Sequence, residues 1–299
     1  MNQTAAPSAV IPPATWRDYV TLTKPRVISL LLFTAIAAMF IAAGHRHHVT
    51  LYQFLAVLLG GYAAAGAANT INMVYDRDID KKMDRTANRP TVTLQISMAN
   101  ALGFAVVLET FSFVVLTCWA NLLAAVMALA GLAFYVLIYT MLLKRRTWHN
   151  IVIGGAAGAF PPLVGAAAIT NHLDVLAWTL FALIFVWTPV HFWALALLLK
   201  DEYASVGVPM LPVVKGDHAT VVQIIAYAIV TFVVSLVPFA LHQVGYLYAI
   251  SAALLSGILV VRSARMFRGF DRKQASGLFH FSMIYLAALF LVMAIDRLM

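Results

Sequence analysis

The sequence predicts an all-α fold, a polytopic membrane bundle of nine transmembrane helices with its N-terminus on the cytoplasmic side. Three observations predict it. Of 299 residues, 63% are hydrophobic and only 11% charged, whereas a soluble domain carries roughly 25% charged residues and under about 50% apolar ones. The apolar residues gather in stretches close to the roughly 20 that a helix needs to cross a hydrocarbon core. All but Arg46 and Arg297 of the twenty Lys and Arg residues fall in alternate gaps between those stretches.

The elements follow in order. Residues 1–15 contain three prolines and no Lys or Arg, which fits neither a signal peptide nor a transit peptide. They read as a short disordered leader, with 16–299 as a single domain. The first span, about 27–44, follows Arg17, Lys24 and Arg26; the second, about 51–73, runs into Arg77, Lys81, Lys82, Arg85 and Arg89. Spans at about 98–118 and 121–143 are separated only by Trp119 and Ala120, so they form a tight hairpin, which ends at Lys144, Arg145 and Arg146. Spans at about 150–170 and 174–199 lead to Lys200 and Lys215. Those at about 219–241 and 244–262 lead to Arg262, Arg265, Arg268, Arg272 and Lys273, and the ninth covers about 277–296. By the positive-inside rule the basic gaps are cytoplasmic, the C-terminus lies outside, and the protein belongs to a bacterial inner membrane. The formal charge of +8 is therefore loop charge that sets topology, with no nucleic-acid partner. Cys118 cannot form an intramolecular disulfide and reads as a small buried side chain. His45, His47 and His48 sit in an outer loop as bystanders.

Asn72, Asp76, Asp80 and Asp84 recur every fourth residue at the end of the second span. On one helix each step advances about 6 Å and turns about 40°, so the four form a stripe, with Asp78 off it. A solvated helix end laced with pairs such as Asp78 and Lys82 is the ordinary explanation of such charges. Here the stripe continues from an apolar span, where polar groups mark function. Oxygen ligands on one face suit Mg²⁺, and the interleaved Arg77, Lys81, Arg85 and Arg89 suit phosphate. A second acidic site, Asp201 and Glu202, ends the sixth span on the same face. It precedes the string Gly207-Val-Pro209-Met-Leu-Pro212. His191, in Trp187-Thr-Pro189-Val-His191-Phe-Trp193, lies about 15 Å deeper on a regular helix. Glu109 lies inside the third span, where a carboxyl group must be protonated or paired within the bundle.

At these motifs the chain resembles the UbiA superfamily of intramembrane prenyltransferases, and within it the haem-farnesylating branch. The resemblance rests on Asn72-xxx-Asp76-xxx-Asp80, Thr23-Lys24-Pro25-Arg26-Val27, Arg85-Thr-Ala-Asn88-Arg89-Pro90 and Tyr139-Thr140-Met-Leu-Leu-Lys144-Arg145. It also rests on Asn150-Ile-Val-Ile-Gly154-Gly155, His191-Phe-Trp193 and Gly207 to Gly216, and it covers about residues 16–290. Two strings depart from the pattern. Ser205 stands where a second aspartate follows the first in relatives, leaving Glu202 as the substitute, and Tyr139 to Lys144 is one residue longer than usual.

The resemblance implies transfer of farnesyl from farnesyl diphosphate to a vinyl group of haem B, giving haem O. It implies Asn72, Asp76, Asp80 and Asp201 as catalytic residues, with these four, Asp84 and Glu202 as Mg²⁺ ligands. Lys24, Arg26, Arg77, Lys81, Arg85, Arg89, Lys144, Arg145 and Lys215 would contact substrate phosphate. Tyr75, Tyr139, Trp187 and Trp193 would offer ring faces to an allylic cation, and His191 would face the haem. Mg²⁺ is the cofactor and haem B a substrate. Partners are farnesyl diphosphate, haem B and the bilayer, with haem A synthase or oxidase assembly factors as candidate neighbours. Replacing Asp76 or Asp80 by Asn is expected to stop turnover and leave the bundle intact. Two other functions stay open at this point: a prenyltransferase with another aromatic acceptor, such as a quinone precursor, and an ion-coupled secondary transporter.

Overall fold

The computed structural model describes residues 13–299, so most of the expected leader lies outside the described residues. Among these residues there is no strand, and nine helices are long and apolar enough to span a bilayer. They are Pro25–Ala43, Leu51–Tyr75, Met98–Trp119, Leu122–Leu143, Asn150–Thr170, Val175–Leu198, Gly216–Ala240, Tyr246–Arg268 and Arg272–Leu298. The chain is a multi-pass membrane protein. A further helix, Trp16–Thr23, precedes the first span. The sequence reading missed it because its eight residues are polar on one side and too short to cross. Its Leu22 packs with Met73, Ile96 and Ala101, while Trp16 and Val20 stay exposed. Lys24, in the left-handed region (φ 56), turns the chain, and Pro25 starts the first span at a position that needs no N–H donor.

Lipid is as apolar as Leu, so the helices associate through close packing and interhelical hydrogen bonds. The N-terminal half uses small residues, with Ala35, Ala56, Ala64, Ala124, Ala125, Ala167 and Ala168 in one buried cluster. A Cβ on Gly165 would stand 2.0 Å from the Ala35 carbonyl oxygen, so only glycine lets the fifth span lie against the first. The C-terminal half is built on bulk: Trp193, Tyr248, Tyr285 and Phe290 are fully buried. It is pinned by Ser235–Ser256 (3.0 Å), Ser256–Tyr285 (3.0 Å) and a Tyr248 hydroxyl donating to Ser235 O (2.7 Å). Large apolar residues such as Val106, Leu254 and Ile284 point outward, as a lipid-facing surface requires.

The expected Cys118 burial does not hold: its thiol is exposed on the side of the bundle. Both carboxyl oxygens of Glu109 are buried with no partner, so no pairing within the bundle is formed.

The loops gather at two ends. Lys24, the segment after the second span, Lys144 and Arg145, and the segment after the sixth span meet at one end; Arg272 joins them by donating to Leu198 O (3.0 Å). His45, Arg46, Asp174, His242 and Arg297 meet at the other.

Candidate active site

The second span ends where Asp76 leaves helical geometry (φ −86, ψ 4), and one further turn, Arg77–Asp80, follows at a new angle. Four-residue spacing keeps Asn72 and Asp76 on one face, and the bend still brings Asp80 inward. All three are buried, Asp76 completely. Winding then gives way to turns, and Asp84 emerges exposed with no ion pair among the described residues. The expected four-rung stripe thus has three rungs, because the helix does not continue.

Asn72 is the junction of the site. Its Nδ2 donates to Asp76 Oδ2 (2.8 Å) and Thr140 Oγ1 (3.2 Å), and its Oδ1 accepts from the Lys24 ammonium (3.0 Å). Thr140 reaches it because the fourth span changes to π-helical winding over Phe134–Leu143, where Thr140 Oγ1 donates to Tyr135 O (2.9 Å). Such wide turns are frequent at functional sites. The Lys144 ammonium also donates to Asp76 Oδ2, while Arg145 Nη2 lies 3.4 Å from Oδ1. Arg145 grips Asp78 with two bonds of 2.7 and 2.6 Å and donates to Tyr75 O (3.0 Å). These bonds hold the Asp78 carboxyl below its usual range. Asp78 is therefore bound to Arg145 and not to Lys82. The Asp80 carboxylate is paired with Arg89.

Four cations, Lys24, Arg89, Lys144 and Arg145, face three carboxylates, Asp76, Asp78 and Asp80. Burial, followed by the charges of Arg89 and Lys144, brings Lys24 down to about 7 against the opposing pull of Asp76 and Asp80. Arg145 Nε is a buried donor with no acceptor, and Asn150 Oδ1 and Glu202 Oε2 are buried acceptors with no hydrogen bond. Such orphaned groups are costly unless a ligand satisfies them. Two carboxylates and an amide oxygen suit Mg²⁺, which binds through one or two carboxylates and completes its shell with water and phosphate oxygens.

In the second acidic segment the two carboxylates face different ways. Asp201 is exposed and has no ion pair among the described residues. Glu202 turns inward, with its Oε2 3.9 Å from Arg85 Nε. On the short helix Lys200–Ser205, adjacent residues point about 100° apart, so only one of the pair can face the site. Burial pushes the neighbouring Tyr203 phenol up. Lys200 is tied to Asp217 at 2.8 Å.

Several expected phosphate contacts are not brought together. Arg26, Lys81 and Lys215 are exposed, and Arg77 leans on Met98 Sδ (4.0 Å). Tyr75 is exposed beneath the Arg145 guanidinium, 5.0 Å from its ring centre. Tyr139 stacks on Tyr135 (5.4 Å), with its ring where a Gly154 Cβ would come within 2.3 Å. Glycine at 154 is what admits that ring.

Deeper in the sixth span, His191 is sandwiched between Trp187 and Phe279, each 4.6 Å away. Ser282 Oγ donates to Phe279 O (2.7 Å), so it accepts from His191 Nδ1 (2.8 Å). That order puts the proton on Nδ1 and leaves Nε2 with a lone pair and no partner among the described residues. Trp193 lies two residues on, about 200° around the helix. It packs edge-to-face with Tyr227 (5.5 Å), on a different side from His191. Trp187, four residues before His191, shares its face. Thr140, Asn150 and the Asp78–Arg145 pair carried no assigned role in the sequence reading. The string Tyr139-Thr140 to Lys144-Arg145 was the available signal, but its partners lie 67 and 68 residues away.

An intramembrane helical bundle with an Asn–Asp–Asp motif among basic residues at one mouth defines a class. The model of the UbiA prenyltransferase family matches residues 31–291, and the chain belongs to that family. It is 55% identical over 95% of its length to a protoheme IX farnesyltransferase of Deinococcus radiodurans, covering 94% of that protein. It is 60% identical over 95% of its length to the protoheme IX farnesyltransferase of Thermus thermophilus, but spans only 46% of that longer relative. Among solved structures it resembles one reported for a digeranylgeranylglyceryl phosphate synthase. That match has TM-score 0.78 and 18% identity, over 95% of this chain and 98% of that one. It also resembles an Archaeoglobus fulgidus UbiA homolog solved with DMAPP and Mg²⁺, with TM-score 0.71 and 17% identity, over 94% and 99%. At those identities the likeness is one of fold.

Proposed function

We propose that this chain transfers the farnesyl group of farnesyl diphosphate to a vinyl group of haem B, giving haem O, from a membrane cavity that opens to the cytoplasm. The observation that carries this reading is the cluster of four cations and three carboxylates around Asn72, in which Asp76 and Asp80 are buried and Arg145 Nε has no acceptor among the described residues. The 55% identity along almost the whole Deinococcus enzyme supports the choice of acceptor.

In this reading Arg89, Lys144 and Arg145 exchange carboxylate partners, and Lys24 the Asn72 amide oxygen, for phosphate oxygens. Asn72, Asp76, Asp80 and Glu202 would hold Mg²⁺, which when bound neutralises charge on the leaving group. The farnesyl C1–O bond breaks, and its electron pair leaves with diphosphate, held by preorganised cations. The vinyl π pair forms the new bond to farnesyl C1. Water then adds to the cation left on the haem side chain and gives up one proton. The stacked Tyr135 and Tyr139 and the face of Trp187 stabilise positive charge without trapping it. His191 Nε2 is the group for haem iron or for a hydrogen bond beside the reacting vinyl.

Purified protein given farnesyl diphosphate and haem B should release diphosphate only with Mg²⁺ and yield a haem heavier by one farnesyl group and one hydroxyl. Release with a quinone precursor but not with haem B would move the acceptor. Ion flux in vesicles with no diphosphate release would make the chain a transporter.

A further inference from the structure

The only two Lys or Arg residues that break the alternation of charge, Arg46 and Arg297, converge on one cavity at the end of the bundle opposite the candidate active site. It holds about 370 Å³ and is walled by His45, Arg46, Asp174, His242, Gln243 and Arg297, with Leu176 as its apolar side chain. That volume falls in the range of small-ligand sites, about 300–1,000 Å³. The wall is assembled from the ends of the first, sixth, seventh and ninth spans, so it exists only in the folded bundle.

Arg297 is held rigidly: its Nε donates to Ile41 O (3.1 Å) and its Nη1 to Gln243 O (3.1 Å). A Cβ on Gly44 would come within 3.0 Å of its Nη2. Nη2 itself has no acceptor among the described residues. Arg46 makes no ion pair among the described residues. The one carboxylate in the wall, Asp174, caps the sixth span through Oδ1, which accepts from Ala177 N (2.8 Å), and its other oxygen remains an acceptor in the wall. The neighbouring Asp296 is likewise engaged by Gly245 N and Tyr248 N. Gln243 Oε1 is buried with no donor. The cavity therefore presents cationic donors from several directions together with two acceptors, Gln243 Oε1 and the Asp174 carboxylate, for a hydroxyl.

We propose that this cavity is a binding site for a phosphate group bearing or adjoining a hydroxyl, supplied either as free hydrogen phosphate or as the phosphoglycerol headgroup of an anionic lipid. Arg46 and Arg297 hold the phosphate oxygens, His45 and His242 add donors, and Gln243 Oε1 accepts from the O–H. A planar carboxylate would leave that acceptor unsatisfied.

The test is hydrogen exchange on the full chain in nanodiscs of phosphatidylcholine, titrated with inorganic phosphate, and in nanodiscs containing phosphatidylglycerol. Slower exchange at 44–48, 171–176 and 241–246 is expected. If phosphate produces it in phosphatidylcholine discs, the ligand is the free ion; if only phosphatidylglycerol does, it is the headgroup. Phosphate held at the cationic mouth would leave these segments unchanged, so the two sites separate. Arg46→Gln should weaken the apparent affinity about tenfold, the size of one charge-assisted hydrogen bond, while Arg265→Gln at the other end should not. Arg297→Gln also removes structural bonds, so Arg46→Gln is the deciding variant. No protection by either probe, or protection unchanged in Arg46→Gln, would overturn the proposal.

Discussion

Replacing Asp76 by Asn removes one charge and keeps the shape, and the structure sets its cost. Asp76 is completely buried and accepts from Asn72, Lys144 and Arg145. The Lys144 side chain is only 14% exposed and has no other carboxylate among the described residues, whereas Arg145 keeps Asp78. Breaking a buried pair from one side costs about 3–5 kcal/mol. Because only Lys144 is stranded, the lower end, about 3 kcal/mol, is expected. This revises the expectation that the bundle would be indifferent to the change. Lys144→Met should cost less, because Asp76 still accepts from Asn72 and Arg145, and the double variant should return to within about 1 kcal/mol of wild type. Turnover should not return: losing an electrostatic group at the leaving group costs about 10²–10³-fold. Stability is read by thermal unfolding in detergent and turnover by Mg²⁺-dependent diphosphate release. An Asp76→Asn protein as stable as wild type, or a double variant less stable than both single ones, would refute the charge-pair reasoning. Activity above about a tenth of wild type would refute the catalytic one.

Lys24 lies at about 7 in the fold against 10.5 ordinarily, so between those values the unfolded chain binds the extra proton. Stability without substrate should be lowest below pH 7 and rise through that window, and Lys24→Met should flatten the rise in unfolding experiments run at several pH values. His191→Ala should weaken haem binding, read by absorption titration, and leave farnesyl diphosphate affinity intact; the opposite pattern would place the acceptor at the wrong end. A reporter fused after Met299 and one inserted near Gly207 should fall on opposite sides of the membrane, and finding both on one side would refute the nine-span orientation.

The nine spans were legible because each is a local property: a run of apolar residues long enough to satisfy its own backbone in lipid. The motif was legible for a related reason, since Asn72, Asp76 and Asp80 are near neighbours on one chain segment. Whether a carboxylate faces inward was not legible. In sequence Asp84 and Asp201 read as Mg²⁺ ligands beside Asp80 and Glu202, with Asp201 ranked above Glu202. A bend at Asp76, the end of winding after Asp80 and the angular phase of a six-residue helix separated them. The partners of Asp76 and Asp78 stand 67 and 68 residues away on another span, and no local pattern ties residues at that distance. For the same reason Arg46 and Arg297 appeared in the sequence as two exceptions to a charge rule, 251 positions apart by their numbers. Sequence alone determined that the chain folds as a membrane bundle with one acidic motif. Packing between spans decided which charges meet, because a salt bridge or a cavity depends on distances that only the tertiary fold sets.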